Sequence, residues 1–121
     1  MNSKGCILVM EDNRSLVRLY ESILTRKGYD VLSAYDGEEG LRRAISDKPD
    51  LIILDIIMPK VNGDEVYRHL QSNPATAKIP VLMLTRIKEQ PEGLNIDAND
   101  FLSKPVAAKD MLDWVRDKIG C

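Results

Sequence analysis

A run of four apolar residues, Leu51 to Leu54, is followed at once by Asp55 and constrains the fold more than any other segment. Short apolar runs without polar alternation are typical of strands buried on both faces, as in a parallel sheet. Similar runs precede the acidic pair Glu11 and Asp12 and, further along the chain, Thr85. The sequence therefore predicts a sheet covered by helices on both sides, with polar residues where its strands end.

Amphipathic segments alternate with these strands and predict the helices between them. Apolar residues recur at helical spacing from about Arg14 to Lys27, after Asp36, from about Asp64 to Ser72 and from Ala108 to Ile119. The first helix is expected to bury Leu19 among other residues, and the second to bury Ile45. Asp36, with Glu39 three residues later, forms a start for the second helix that resembles a capping box.

The segment from Arg86 to Asn99 gives the weakest signal in the chain. Pro91 and Gly93 interrupt it, so we expect a short or irregular fourth helix there. Alternating strands and helices form parallel strands with right-handed crossovers, hence an α/β three-layer sandwich. The length of 121 residues predicts a single domain, residues 1–121, and periodicity alone leaves the strand order open.

Charge and composition argue against several classes of function. The formal net charge is −2, whereas a nucleic-acid surface requires clustered basic residues. No stretch resembles a signal peptide or a membrane span, because charged residues interrupt the apolar runs. The two cysteines do not form a disulfide framework, because Cys6 lies in an apolar strand and Cys121 is the last residue of the sequence. We therefore expect a cytoplasmic protein with no nucleic-acid and no membrane partner.

Three acids, a hydroxyl and an amine lie at the predicted strand ends. Glu11, Asp12 and Asp55 offer the oxygen ligands that Mg²⁺ prefers, and a cation would relieve the repulsion among them. Lys104 can pair with a phosphoryl oxygen, and the Thr85 hydroxyl can donate a hydrogen bond to another. Each residue alone has an ordinary explanation as a cap, a strand former or a surface charge. Together they suggest a carboxylate held beside a metal ion and ready to accept a phosphoryl group.

Four motifs follow one another along the chain: Ile7 to Asp12, Asp50 to Pro59 with Gly63, Ile79 to Thr85 and Asp100 to Pro105. With these motifs the chain resembles the receiver domains of two-component response regulators, from Ile7 to about Ile119. The resemblance implies a doubly wound, flavodoxin-like sheet of five parallel strands in the order 2-1-3-4-5.

The resemblance also implies a role for each site residue. Asp55 would be the phosphoacceptor, taking the phosphoryl group from the phosphohistidine of a sensor kinase. Asp12 would bind Mg²⁺ directly and Glu11 mainly through water, while the backbone carbonyl of Ile57 would be a further ligand. Lys104 would complete the catalytic set with Asp55 and Thr85.

Thr85 and Phe101 would be the switch pair of such a domain. The phosphoryl group would draw the Thr85 hydroxyl inward, and Phe101 would turn into the space left behind. The change would alter a protein-binding surface around the fourth helix, the fifth strand and the last helix. Arg86 departs from the family, which usually has a small residue there, and we expect it to slow exchange with small phosphodonors and water.

The expected partners are a sensor histidine kinase or a histidine phosphotransfer protein, an unknown downstream protein and, after phosphorylation, a second copy of the chain. Such a domain phosphorylates and dephosphorylates itself but does not turn over an external substrate. The alternative is a protein-binding module that kept the fold and lost the chemistry. A phosphatase with an aspartyl nucleophile is disfavoured, because Ile57 stands where such enzymes usually carry an acid/base. A dinucleotide site is disfavoured because no glycine-rich turn follows the first strand.

Overall fold

The computed structural model describes residues 5–55, 63–85, 101–103 and 107–119. Over these residues, five strands and four helices follow one another along the chain. The strands are β1 (Cys6–Met10), β2 (Asp30–Ala34), β3 (Leu51–Asp55), β4 (Val81–Thr85) and β5 (Phe101–Ser103). The helices are α1 (Arg14–Thr25), α2 (Gly37–Asp47), α3 (Gly63–Ser72) and α4 (Ala108–Ile119). The fourth helix predicted within residues 86–99 lies outside the described residues.

The strands form one parallel sheet in the order β2-β1-β3-β4-β5. This order confirms the doubly wound, flavodoxin-like α/β fold. Because all strands run the same way, the sheet has an amino edge, where the strands begin, and a carboxyl edge, where they end. Within the described residues, none of the helices is both long enough and apolar enough to cross a membrane.

The core lies on both faces of the sheet, because successive strand side chains point to opposite sides. One face, with α2 and α3, buries Leu8, Met10, Ala34, Ala44, Ile52, Leu54, Val66, Leu70, Val81 and Met83. The other face, with α1 and α4, buries Ile7, Val9, Tyr20, Leu24, Tyr29, Leu51, Ile53, Leu82, Leu84, Met111, Trp114 and Val115. These two clusters are the two interfaces of the predicted three-layer sandwich.

The buried stripe of α1 differs from the predicted one. Leu19 was expected in the core but is 49% exposed, and Val17 is buried in its place. Val17, Tyr20 and Leu24 lie at i, i+3 and i+7, which is one stripe of a helix. The sequence offers apolar residues on two neighbouring stripes, and packing against the sheet selects the one that contains Val17.

The buried stripe of α2 is made of small residues. The prediction for Ile45 was wrong, since its side chain is 44% exposed, whereas Gly37, Gly40 and Ala44 are buried. A Cβ atom on Gly40 would meet the side chain of Met10. The absence of larger side chains on this stripe therefore lets α2 approach β1 closely.

The predicted cap of α2 is confirmed. Asp36 is the N-cap, and its Oδ1 accepts a hydrogen bond from the Glu39 N–H at 2.8 Å. The Glu39 Oε1 accepts in return from the N–H of Tyr35 at 3.1 Å, one residue before the cap. The pair of bonds fixes the chain where it leaves β2 and enters α2.

Candidate metal centre

Three carboxylates converge at the carboxyl edge of the sheet. The ligand oxygens of Glu11, Asp12 and Asp55, which we call the acidic cluster, lie within 4.8 Å of one another. Strand register explains the convergence, since Met10 of β1 is paired with Leu54 of β3. Glu11, which follows β1, and Asp55, which ends β3, are therefore the next residues on the two strands and emerge side by side.

The acidic cluster is largely shielded from solvent. Glu11 is 1% exposed and Asp55 is 5% exposed, while Asp12 lies at the surface. Buried carboxylates are costly unless they are paired, hydrogen-bonded or bound to a metal ion. Among the described residues, this is the one group of three or more His, Cys, Asp or Glu side chains whose ligand atoms lie this close together.

Hydrogen bonds donated by backbone N–H groups hold the loop that carries two of the three acids. The Glu11 N–H donates to the Ala34 carbonyl at 3.0 Å, which extends the pairing of β1 with β2 by one residue. The Glu11 Oε2 accepts a hydrogen bond from the Asn13 N–H at 3.3 Å. The loop between β1 and α1 is therefore anchored to β2 at its first residue, Glu11.

Asn13 rather than Asp12 caps α1, although both residue types are common N-caps. The Asn13 Oδ1 accepts hydrogen bonds from the N–H groups of Ser15 and Leu16, at 3.0 and 3.2 Å. The helix thus obtains its cap from the residue after the acidic pair. The Asp12 carboxylate takes its place in the acidic cluster instead.

The backbone of β4 and β5 brings the predicted switch residues to the same sheet. Leu84 pairs with Asp55, so Thr85 ends β4 at the carboxyl edge, while Phe101 begins β5 opposite Met83. Ile57, Arg86 and Lys104 lie outside the described residues, as do the side chains of Thr85 and Phe101. The roles that the sequence predicts for these four side chains and for the backbone carbonyl of Ile57 therefore stay predictions.

The acidic cluster fits a hard divalent cation. Its ligands are all carboxylate oxygens, which Mg²⁺ prefers, and three anions in a small volume favour a positive ion among them. Glu11, Asp12 and Asp55 would be the side chains that hold Mg²⁺. The described part of the structure thus brings together three of the four predicted metal ligands.

The sequence reasoning missed a contact beside the acidic cluster. The Arg14 Cζ lies 4.0 Å from the centroid of the Tyr35 ring, which joins the start of α1 to the residue after β2. One signal was present in the sequence, since Arg14 opens a helix whose first turn has no acidic residue. The helix dipole favours acidic residues at that end, so an arginine there calls for a different explanation.

Comparisons with known proteins agree with this fold. The family model described as "Response regulator receiver domain" matches residues 7–116. The alkaline phosphatase synthesis transcriptional regulatory protein PhoP of Bacillus subtilis is 42% identical over 114 residues, which cover 92% of this chain and 46% of that protein. The DNA-binding dual master transcriptional regulator RpaA of Synechocystis is 41% identical over 113 residues, covering 91% and 47%. The chain thus spans about half the length of these curated relatives.

A solved structure is similar over nearly the whole chain. It is the receiver domain of a sensor histidine kinase from Pseudomonas aeruginosa, with a magnesium ion coordinated in its active-site cleft. The TM-score is 0.85 at 25% identity, and the match covers 97% of this chain and 98% of that one. Because the family model spans residues 7–116 and a relative is 42% identical, the chain belongs to the response regulator receiver domains, the phosphorylation-based signalling domains of two-component systems.

Proposed function

We propose that Asp55 of this receiver domain accepts a phosphoryl group from a sensor histidine kinase or a histidine phosphotransfer protein, with Mg²⁺ as cofactor. The observation that carries the proposal is the convergence of the Glu11, Asp12 and Asp55 oxygens within 4.8 Å. Asp55 is the member of the acidic cluster that ends the central strand β3. Its position at the carboxyl edge is where open α/β sheets place their ligand sites.

The proposed reaction is a transfer between two side chains. A carboxylate oxygen of Asp55 forms a bond to phosphorus, and the bond from phosphorus to the donor's imidazole nitrogen breaks, leaving its electron pair on that nitrogen. A bound Mg²⁺ would offset the negative charge on the phosphoryl oxygens. Glu11, Asp12 and Asp55 would hold that cation together with the backbone carbonyl of Ile57, and the Lys104 ammonium would pair with a phosphoryl oxygen.

The proposed switch follows from charge and space. A phosphoryl group adds roughly −1.5 to −2 charge, judged from other phosphorylated side chains. The Thr85 hydroxyl donates a hydrogen bond to it, and Phe101 occupies the space that Thr85 leaves. The register supports this, because Thr85 follows the residue that pairs with Asp55.

Arg86 would shield the phosphoryl group from small molecules. We expect Arg86→Ala to speed both phosphorylation by acetyl phosphate and hydrolysis of the product. Unchanged rates for both reactions would show that Arg86 has no such role.

The partners and the setting of the domain remain part of the proposal. We predict three partners: a sensor kinase or phosphotransfer protein, a downstream protein target and, after phosphorylation, a second copy of the chain. We also predict a cytoplasmic location and a single domain over residues 1–121. Self-phosphorylation and autodephosphorylation without turnover of an external substrate are likewise proposed. The expectation of no nucleic-acid partner is unconfirmed, because the matched relatives include a DNA-binding regulator.

The test is phosphorylation by acetyl phosphate in the presence of Mg²⁺, read by the mass of the intact protein. We expect the wild type to gain one phosphoryl group and Asp55→Asn to gain none. Asp50→Asn, which removes an exposed carboxylate at the amino edge, is the matched control and should be labelled like the wild type. Labelling of Asp55→Asn would place the acceptor elsewhere, and an unlabelled wild type would favour the protein-binding module.

A further inference from the structure

Gly40 on α2 lies against the last residue of β1, at a distance that leaves no room for a side chain. A Cβ atom added to Gly40 would lie 2.9 Å from the Met10 Cγ and 3.0 Å from the Met10 Cε, with the Sδ atom nearer still. Carbon atoms in contact are most stable about 3.5 to 4.0 Å apart. Within the described part of the chain, Gly40 is the one glycine that shows so close an approach. The spacing between α2 and the end of β1 therefore depends on the missing side chain.

The Met10 side chain has little room to move away from an added methyl group. It is fully buried and belongs to the same core cluster as Leu8 and Leu54. Its backbone is paired on both sides, with Ala34 of β2 and with Leu54 of β3. Because cores are packed as densely as organic crystals, displaced atoms push on their neighbours. A side chain at residue 40 would therefore displace either the end of β1 or the helix α2.

Both displacements lead to Glu11, the most deeply buried member of the acidic cluster. Glu11 follows Met10 directly, so a shift at the end of β1 moves it. The start of α2 reaches it by another route, since the Glu39 Oε1 accepts a hydrogen bond from the Tyr35 N–H at 3.1 Å. Ala34, the residue before Tyr35, accepts a hydrogen bond from the Glu11 N–H at 3.0 Å. The position of Glu11 is thus coupled to the distance between α2 and β1.

We propose that Gly40 is a positioning residue for the metal centre, because its missing side chain lets the end of β1 place Glu11 in the acidic cluster. Its backbone is helical, a conformation that alanine adopts more readily than glycine does. The close contact with Met10, rather than the backbone, therefore accounts for the glycine. The inference rests on the proposed function, in that Mg²⁺ is the cation the cluster binds. It adds a residue that touches neither that cation nor the phosphoryl group.

Two measurements on the full chain test the inference, one without the metal ion and one with it. Gly40→Ala should speed hydrogen exchange of the Glu11 N–H in the metal-free protein about fivefold, the factor that one ordinary hydrogen bond corresponds to. The same variant should weaken Mg²⁺ binding about tenfold in titration calorimetry. That factor is the lower end of the loss expected when a residue that orients a metal ligand is changed.

A rescue variant separates the contact with Met10 from other effects of the alanine. Valine suits a strand and has one side-chain heavy atom fewer than methionine, whereas Gly40→Ala adds one. The double variant of Met10→Val and Gly40→Ala should therefore restore the exchange rate and the dissociation constant to wild-type values. Met10→Val alone pushes nothing aside and should bind Mg²⁺ within about twofold of the wild type.

Gly37→Ala is the matched control, since it adds the same methyl group to a buried residue one turn earlier on α2. It should change both measurements less than Gly40→Ala does. Circular dichroism and urea unfolding report the stability of each variant. A purely structural role of Gly40 would lower the urea midpoint of Gly40→Ala, but would leave the dissociation constant and the exchange of Glu11 relative to Leu8 unchanged.

Several results would overturn the inference. Wild-type exchange and binding in Gly40→Ala would contradict it, as would equal effects in Gly37→Ala. A double variant as weak as Gly40→Ala would show that the contact with Met10 is not the cause. If Gly40→Ala does not fold, the double variant decides, because it should fold and bind Mg²⁺ as tightly as Met10→Val, and weaker binding contradicts the inference. A wild type that binds no Mg²⁺ would instead refute the proposed function, while the exchange of Glu11 would still test the role of Gly40.

Discussion

Acidic side chains lie at both edges of the parallel sheet, and they are used differently at the two edges. At the amino edge, the Asp50 Oδ2 accepts a hydrogen bond from the Cys6 N–H at 2.8 Å, and the Asp50 N–H donates to the Cys6 carbonyl at 2.8 Å. At the carboxyl edge, Glu11, Asp12 and Asp55 turn their oxygens toward one another. At the amino edge a carboxylate accepts a hydrogen bond from a strand N–H, whereas at the carboxyl edge three carboxylates lie together in a cluster.

The direction of the strands accounts for the difference. Strands begin with N–H groups that lack a partner, and a carboxylate such as Asp50 can accept from them. At the other edge the strands end and the helices α1 and α2 begin, with their first N–H groups capped by Asn13 and Asp36. The positive ends of helix dipoles favour anions at this edge, which suits both a group of acids and a phosphoryl group.

The largest contrast between the edges should appear in Mg²⁺ affinity. Asp12→Asn removes a ligand charge from the acidic cluster and should weaken binding by about tenfold or more. Asp50→Asn removes the same charge from the amino edge and should leave the dissociation constant within about twofold, because screening weakens distant charges. Calorimetric titration of both variants makes the comparison, and equal losses would show that only overall charge matters.

For the free energy of unfolding, the substitution at the amino edge should have the larger effect. Asp50→Ala leaves the Cys6 N–H without its acceptor and should lower the free energy of unfolding by about 1 kcal/mol. Asp12→Asn removes repulsion within the acidic cluster and should leave that free energy unchanged or raise it in the absence of divalent cations. Urea unfolding measures both, and a larger loss in Asp12→Asn than in Asp50→Ala would reverse the assignment of the two edges.

The smallest expected effect concerns the Cys6 thiol at the amino edge. Burial raises the pKa of Cys6 above its ordinary value, and the negative charges of Asp50, Asp30 and Asp47 raise it further. Both causes disfavour the thiolate, so removing the Asp50 charge should lower the pKa and increase the thiolate fraction at a given pH. Asp50→Asn should therefore speed alkylation by iodoacetamide at pH 8 by about two- to threefold.

Alkylation is best measured with Cys121 replaced by serine, so that a single thiol reacts. Asp12→Asn is the control and should leave the rate unchanged. A rate in Asp50→Asn that is equal to or below that of the parent would contradict the effect of the Asp50 charge on Cys6.

The acidic cluster was predictable from sequence because strand ends are marked by abrupt changes of polarity. The apolar runs before Glu11 and Asp55 have matching lengths, so pairing in register brings the two acids together. The exposure of Leu19 and Ile45 was not predictable, since helical spacing defines an apolar side without deciding which stripe packs on the sheet. That choice depends on the close approach of α2 to β1 and on the shape of the sheet surface.

The contact between Arg14 and Tyr35 could not be predicted from the sequence, because an arginine at a helix start signals an unusual position without naming its partner. It joins the first residue of one helix to the residue after a distant strand, and only the pairing of β1 with β2 brings them together. The same holds for the cap of α1, which is Asn13 and not Asp12, because the Asp12 carboxylate lies in the acidic cluster. Contacts between elements, unlike strand ends, are set by the assembled fold.

The most direct measurement of cation binding at the carboxyl edge is paramagnetic broadening of amide NMR signals by Mn²⁺, which takes the same oxygen ligands as Mg²⁺. The five residues of β1 separate the two edges by about 16 Å, enough for a clear gradient. Substoichiometric Mn²⁺ should broaden the signals of Glu11, Asp12 and Asp55 most and those of Cys6 and Asp50 least, and excess Mg²⁺ should restore them. Broadening centred on Asp50, or spread evenly over the acidic residues of both edges, would contradict a shared cation site in the acidic cluster.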